Sequence, residues 1–316
     1  MWNKPWRMQE GFVIGGGLIC AGLMLELTVG KVVWDAFAWP ANLVVLMGFL
    51  LLAILIFFLQ PKFYLCRFLA TYHAAVPTLV YVVALTIVMG LTRQQVNGTW
   101  LNDMLSFWPF VLIYTYMALI LALVVLNRLS RLLFGKKKWA WRRDVPFFLN
   151  HCGLLIALVT ATLGNADMQR LKMITVVGEP EWRAINDKGE VQELPIAIQL
   201  KKFILEEYPA EMEPQLSADS MMMMMQRTPK RFASDIQILT KSGKNISATV
   251  DVNRPVSIDG WKIYQYGYDT QMGAMSNISI LELVSDPWLP FVYTGIWMMI
   301  AGAISMFLFG MRRKSV

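Results

Sequence analysis

Six uninterrupted apolar runs, at about 11–29, 41–59, 71–91, 106–126, 146–164 and 289–310, constrain this chain more than any other feature of its sequence. About 20 apolar residues in a helix cross a hydrocarbon core roughly 30 Å thick, and a helix satisfies its own backbone where no water is present. With 56% of the 316 residues hydrophobic and 16% charged, a soluble core could not hide that much apolar surface. An integral membrane protein is therefore expected. Lys4 and Arg7 before the first run have the look of a signal peptide, but no small-x-small cleavage site follows, so an uncleaved span is expected.

Positive charge sorts the connections. Lys4 and Arg7, then Lys62 and Arg67, then Arg128, Arg131, Lys136, Lys137, Lys138, Arg142 and Arg143, and last Arg312, Arg313 and Lys314 fall on one side of a six-span chain. Lys31 and Arg93 fall on the other. The basic side is the cytoplasmic one, which predicts both termini inside a bacterial plasma membrane and residues 165–286 outside, in the periplasm. That segment holds 13 Lys+Arg against 17 Asp+Glu, a net of −4, and the rest holds 16 against 5, a net of +11. Since the excess positive charge flanks the spans, nucleic acid is not an expected partner.

Within 165–286 the pattern changes period. MITVVG, PIAIQLKKFILEEY, FASDIQIL, ISATVDVN, WKIYQYGYD and SNISILELVSD alternate apolar and polar residues, and Gly178, Gly189, Gly243 and Asp259-Gly260 punctuate them. Strands with one buried face are expected, in an antiparallel sandwich or barrel-like domain. Met221–Met225 has no period and sits among Ser, Asp and Gln, as a loop would. A pliable apolar surface for an unfolded client is the functional reading of such a run. The expected fold is thus an α-helical membrane protein with six transmembrane helices plus an extracytoplasmic antiparallel β domain. Its divisions are 1–67, a two-span extension; 68–164, further spans; 165–286, the β domain; and 287–316, the last helix with a basic tail.

Cys20, Cys66 and Cys152 lie in or beside apolar runs and form no CxxC, so a disulfide framework, a zinc site and a dithiol role are unsupported. No Ser/His/Asp set, paired carboxylates, P-loop or HExxH occurs, and no independent catalytic centre is expected. Gly15, Gly16 and Gly17 strip one turn of the first run of side chains, which suits close helix packing. Glu26, near the outer end of that run, is expected to reach the interface.

The order VNRPVSIDGWKIYQYGYD, strand, DPWLPFVYTGIWMMIAGAISMF resembles the C-terminal signature of the ResB-like family, the membrane subunit of the system II cytochrome c biogenesis machinery. The third and fourth runs, with SFWP at Ser106–Pro109, resemble the family's first two spans, and LPIAIQLKKFILEEYP is similar to the PFxIxLxxFxxEYYP-like run that the family carries at this point. The resemblance covers roughly 68–313 and leaves the first two runs as an addition. It implies haem as a transient b-type cofactor, a CcsA/ResC-like membrane partner and apocytochrome c as client. It also implies a thioredoxin-like reductant, because iron and the client thiols must stay reduced and this chain has no dithiol. The tryptophan-rich WGxxWxWD-like segment of the CcsA/ResC partner does not occur here; Trp34-Asp35 stands alone.

Both histidines fall in spans. Read from the residues alone, His151 in PFFLNHCGLLIALVTATLG is either an interfacial histidine bonded to a neighbouring carbonyl or an imidazole offered to haem iron. NHCGLLIALVTA resembles the family span whose histidine is implicated as a haem ligand, and this implies His151 as the ligand. Thr162 and Leu163 replace the small residue that the family carries after the apolar run. His73, in LATYHAAVP at a similar depth, would be a second ligand only in a two-histidine cytochrome, and the family offers no precedent for it. Three functions follow: a cytochrome c maturation subunit, a b-haem electron-transfer subunit using His73 and His151, and a structural anchor.

Overall fold

The computed structural model describes residues 2, 4–95, 98, 100–134, 141–208 and 229–310. Lys136–Lys138, Met221–Met225 and Arg312–Lys314 lie outside the described residues. The chain divides into two compact units, Met1–Asp167 with Trp288–Val316, and Met168–Pro287.

The first unit is helical: α1 Met8–Thr28, α2 Ala41–Leu59, α3 Tyr64–Leu69, α4 Tyr72–Leu91, α5 Trp108–Phe134, α6 Trp141–Gly164 and α7 Leu289–Gly310. All but α3 are long and apolar enough to cross a membrane. Large side chains such as Leu51, Phe58, Trp297 and Phe307 stand exposed along them, as lipid-facing positions do. α5 and α6 run further toward their shared connection than the apolar runs predict. The extra turns are held by Arg128 on α5 and Asp144 on α6, paired at 2.5 Å with side chains only 14% exposed.

α1 packs against α4 and α5. A Cβ on Gly15 would strike the Tyr81 ring of α4, whereas Gly17 has nothing within 4 Å; of the three consecutive glycines, the first makes the close packing. Glu26 turns back into the bundle, its carboxylate accepting the Trp108 backbone N–H at 3.2 Å, while the Trp108 indole donates to Gly30 O at 2.7 Å. The carboxylate thereby caps the start of α5 from a neighbouring helix.

α6 and α7 meet backbone to backbone. A Cβ on Gly153 would lie 2.6 Å from Gly295 O, and one on Gly164 would strike the Trp288 side chain. Asp167, just beyond α6, closes the same end: it accepts the Trp39 N–H at 2.6 Å, the Asn42 amide at 2.7 Å and the Trp288 indole at 2.6 Å. Burial opposes ionisation of this carboxyl, but the three donors outweigh it and hold it below the ordinary aspartate value. Asn42 is fully buried, so one carboxylate ties the start of α2 to the end of α6 and the start of α7.

The second unit is one antiparallel sheet of eight described strands: β1 Gln169–Val176, β2 Pro180–Asn186, β3 Val191–Glu207, β4 Pro229–Thr240, β5 Asn245–Asp251, β6 Val256–Ile258, β7 Trp261–Tyr268 and β8 Ile278–Ser285. Their spatial order is β5-β4-β3-β2-β1-β8-β7-β6. The first and last strands of the chain's order pair along their whole length, Gln169 opposite Ser285 through to Val176 opposite Ile278. Alternation places Leu171, Met173, Ile196, Ile198, Leu200, Ile236, Ile238, Ile263, Leu281 and Leu283 in a single buried cluster, and β5 lies near β6 and β7, so the sheet curls around that core. Inside it Ser234 Oγ donates to Ser279 Oγ at 2.7 Å and Thr175 Oγ1 to Ser279 O at 2.9 Å. The β2 strand, which the sequence did not single out, carries an irregularity at Glu181–Arg183 in its pairing with β3.

Candidate functional site

Three helices of the first unit enclose a cavity of about 450 Å³, the size range of a small-molecule or cofactor site. α5 contributes Met117, Ile120, Leu121, Val124, Asn127 and Arg131, a stripe at helical spacing. α4 and the residues before it supply Thr71, Tyr72, Ala75, Thr78 and Leu79, and α6 supplies Phe147, His151 and Leu154.

α4 and α5 run in opposite directions. Ala74 clusters with Ile120 and Tyr116, while Leu85, Val88 and Met89 near the other end of α4 pack against Phe107 and Phe110 at the start of α5. α6 starts where α5 ends, as the Arg128–Asp144 pair requires. The cavity is therefore amphipathic along its length. Arg131, Asn127, Thr71 and Tyr72 lie toward one end, and Met117, Leu79 and Leu154 toward the other.

His151 is half-buried on this wall. It lies ten residues into α6, about 15 Å along the helix, so it sits deeper from the helix start than the apolar run implied. Its Nδ1 is 2.8 Å from Phe147 O. With Nδ1–H donating to that carbonyl, Nε2 is the ring nitrogen left to meet a metal. The Phe147 ring stacks on the imidazole at 4.0 Å and 20°. On Phe147 in turn rests the Arg128 guanidinium, 4.6 Å from the ring centroid, itself fixed by Asp144. The residue one turn before the histidine thus grips it through backbone and ring together, and a half-buried ion pair braces that residue from α5.

His73 stands elsewhere. Tyr72 lines the cavity, but His73 does not; its ring lies 3.9 Å from that of Tyr72, and its carbonyl faces Gly11 of α1. The two histidines are therefore not brought together on the cavity wall. Among the described residues no cluster of three or more His, Cys, Asp or Glu could hold a metal ion, and Cys20, Cys66 and Cys152 are free thiols. An iron site here would rest on imidazole and a macrocycle, and the apolar walls, the imidazole and a cationic end fit haem. Sequence reading missed Phe147, Arg128 and Asp144; the i, i+4 spacing of Phe147 and His151 was the one signal that could have found the first of them.

The family model described as the ResB-like family matches residues 130–280. That span holds the end of α5, all of α6 and the sheet up to the start of β8; α1 to α4 fall outside it. No curated protein matches the chain. Among solved structures, a cytochrome c heme lyase, CcmF, aligns with a TM-score of 0.37 at 12% identity over 72% of this chain and 34% of that one. The chain spans about a third of that structure's length. Over residues 130–280, which carry His151 and seven complete strands of the sheet, the chain is similar to the ResB-like family.

Proposed function

We propose that this protein is a membrane subunit of a cytochrome c maturation complex, and that His151 holds haem in the cavity between α4, α5 and α6. The family match over 130–280 supports the pathway. The observation that carries the site is the imidazole on the wall of an apolar cavity with Nδ1 committed to Phe147 O and Nε2 left as the ligand atom. Haem, when bound, supplies the iron and the vinyl groups that become thioether links to client cysteines. This chain's own residues bind, orient and shield. The walls from Met117 to Val124 exclude water, Phe147 fixes the plane of the imidazole, and the Arg128–Asp144 pair holds Phe147 in place.

The rest of the reading follows the charge distribution and the family. The basic connections face the cytoplasm, and the sheet lies in the periplasm. There it receives apocytochrome c beside a CcsA/ResC-like subunit while a thioredoxin-like protein keeps the client thiols reduced.

The test is the haem spectrum of the full chain purified alone and with a CcsA-like subunit. A Soret band that His151→Ala abolishes and His73→Ala leaves in place is expected. A band that needs both histidines in the isolated chain would point instead to an electron-transfer cytochrome. Haem in neither preparation would leave only the anchor.

A further inference from the structure

Beyond the iron ligand, the geometry points to Arg131 as the acid-group receptor of the same cavity: we propose that it takes the propionate carboxylates of haem and so fixes which edge of the macrocycle enters first. This rests on the haem reading above and adds an orientation to it.

The argument begins with the layout of α5. Met117, Leu121, Val124, Asn127 and Arg131 all line the cavity, and at about 1.5 Å per residue Arg131 stands roughly 21 Å along the axis from Met117. One end of the cavity is thus aliphatic and the other ends in a guanidinium.

The two threonines of the lining and one nitrogen of His151 are already committed, and the Asn127 amide and Tyr72 hydroxyl beside them carry no charge. Thr71 Oγ1 donates to Phe68 O at 2.7 Å and Thr78 Oγ1 to Ala74 O at 2.8 Å, each within its own helical segment. His151 Nδ1 is taken by Phe147 O. Arg128, the other arginine of this helix end, pairs with Asp144. Arg131 is different. Its Nε donates to Asn127 O at 3.1 Å, which points the guanidinium along its own helix, and it has no ion pair among the described residues. The exposed side chain leaves its terminal N–H groups free for an acid. Guanidinium binds carboxylate in a two-pronged, charge-assisted contact that a Lys reproduces only as a point charge.

An apolar body with acid groups on one edge matches a cavity with apolar walls and one cation at its end. The two residues divide the work, His151 on the iron and Arg131 on the propionates. The vinyl-bearing edge, opposite the propionates, is then left on the aliphatic side. A phosphate headgroup offers related acid chemistry, so the test uses neutral lipid.

The experiment is titration of the full chain, with its CcsA-like subunit where haem loading needs it, in discs of neutral lipid. Haem and haem dimethyl ester, whose propionates are blocked, are compared by tryptophan quenching and by the Soret band. Wild type is expected to bind haem about tenfold more tightly than the ester. Arg131→Gln should level the two to within about twofold by weakening haem alone, and Arg131→Lys should keep part of the preference. His151→Ala should lose the iron–imidazole Soret signature yet retain the preference for the free acid. Equal binding of acid and ester by wild type, or an undiminished preference in Arg131→Gln, overturns the role of Arg131 while leaving the haem reading intact. Absence of haem binding by wild type with and without the partner overturns the haem reading itself.

Discussion

Phe147 holds His151 by two means that respond differently to substitution. The carbonyl contact at 2.8 Å survives any side-chain change, whereas the ring contact at 4.0 Å and the guanidinium resting on its far side do not. Orientation by neighbours of this kind typically carries 10–100-fold in metal affinity. His151 was singled out in the sequence through the resemblance of its span to a ResB-like one, since the apolar run alone left an interfacial histidine open. Its supports were not, because a phenylalanine four residues earlier looks like ordinary lipid-facing bulk and Arg128 like one more charge in a basic connection. A second residue-scale device is Glu181 in the sheet. Its Oε1 accepts the backbone N–H groups of Trp182 at 3.0 Å and Arg183 at 2.9 Å, and both carboxylate oxygens take the Arg183 guanidinium at 2.9 Å. The Arg183 side chain, first, and these amides, together outweighing partial burial, pull the carboxyl from an ordinary 4.5 to about 2. A carboxyl lowered on folding stabilises most above its unfolded value and loses that contribution as pH falls through its folded one. The bulge should therefore keep its amides protected down to about pH 3 and release them as pH approaches about 2. Hydrogen exchange at Trp182 and Arg183, compared at equal pH with Glu181→Gln, reads this directly. The variant should lose protection already at pH 5, and unchanged protection there would show that the carboxylate does not hold the bulge.

At the scale of elements, the number and type of helices and strands follow from hydrophobic period, and their ends follow from partners that lie far apart in sequence. The apolar runs of α5 and α6 stop at charged residues, yet both helices continue because Arg128 and Asp144 meet across the connection. Asp167 and Asn42 are likewise separated by 125 residues, and no local pattern announces their contact. The β2 strand escaped notice because only Ala184 of its seven residues is buried and its pairing with β3 is irregular at Glu181–Arg183. The α6–α7 seam rests on glycines whose purpose is visible only in the packed pair. Gly153 and Gly295 present their carbonyls to each other's Cα, and an added Cβ at Gly295 would lie 2.5 Å from Gly153 O and 2.7 Å from Ala157 N. Those obstacles are backbone atoms, so the helices must separate rather than a side chain swing aside. Overpacking of this sort costs about 1–3 kcal/mol, and in a membrane, where close van der Waals contact drives helix association, little else compensates. Gly295→Val should lower the thermal midpoint of the detergent-solubilised chain by several degrees, while Gly17→Val, facing open space, should leave it unchanged. Equal midpoints for the two variants would remove the seam as a source of stability.

For the whole molecule, the division into a helical unit and a β unit is written in the change of hydrophobic period near residue 165 and back again near 287, and the two units fall at Asp167 and Pro287. What the sequence does not write is the cavity, since no motif joins three stripes on α4, α5 and α6; it exists only once α4 and α5 lie antiparallel and α6 returns beside them. Orientation is a separate question, and it decides whether the proposed haem handling has a direction. In the proposed reading, six crossings put both termini on one side, and residues 168–287, in the long connection between the fifth and sixth, on the other. The excess of Lys and Arg in the remaining connections is what supports cytoplasmic termini in that reading. The β unit carries no cysteine, and the three present are all in the helical part, so a chain with Cys20, Cys66 and Cys152 replaced by Ser offers a clean background. In that background, a cysteine introduced at Lys241, in the turn between β4 and β5, should react with a membrane-impermeant maleimide in intact spheroplasts. One introduced at Lys62, between α2 and α3, should react only after lysis. The reverse pattern would put the sheet in the cytoplasm, where it could not meet an exported apocytochrome, and His151 near the outer leaflet, where a haem ligand would no longer serve the first step of export.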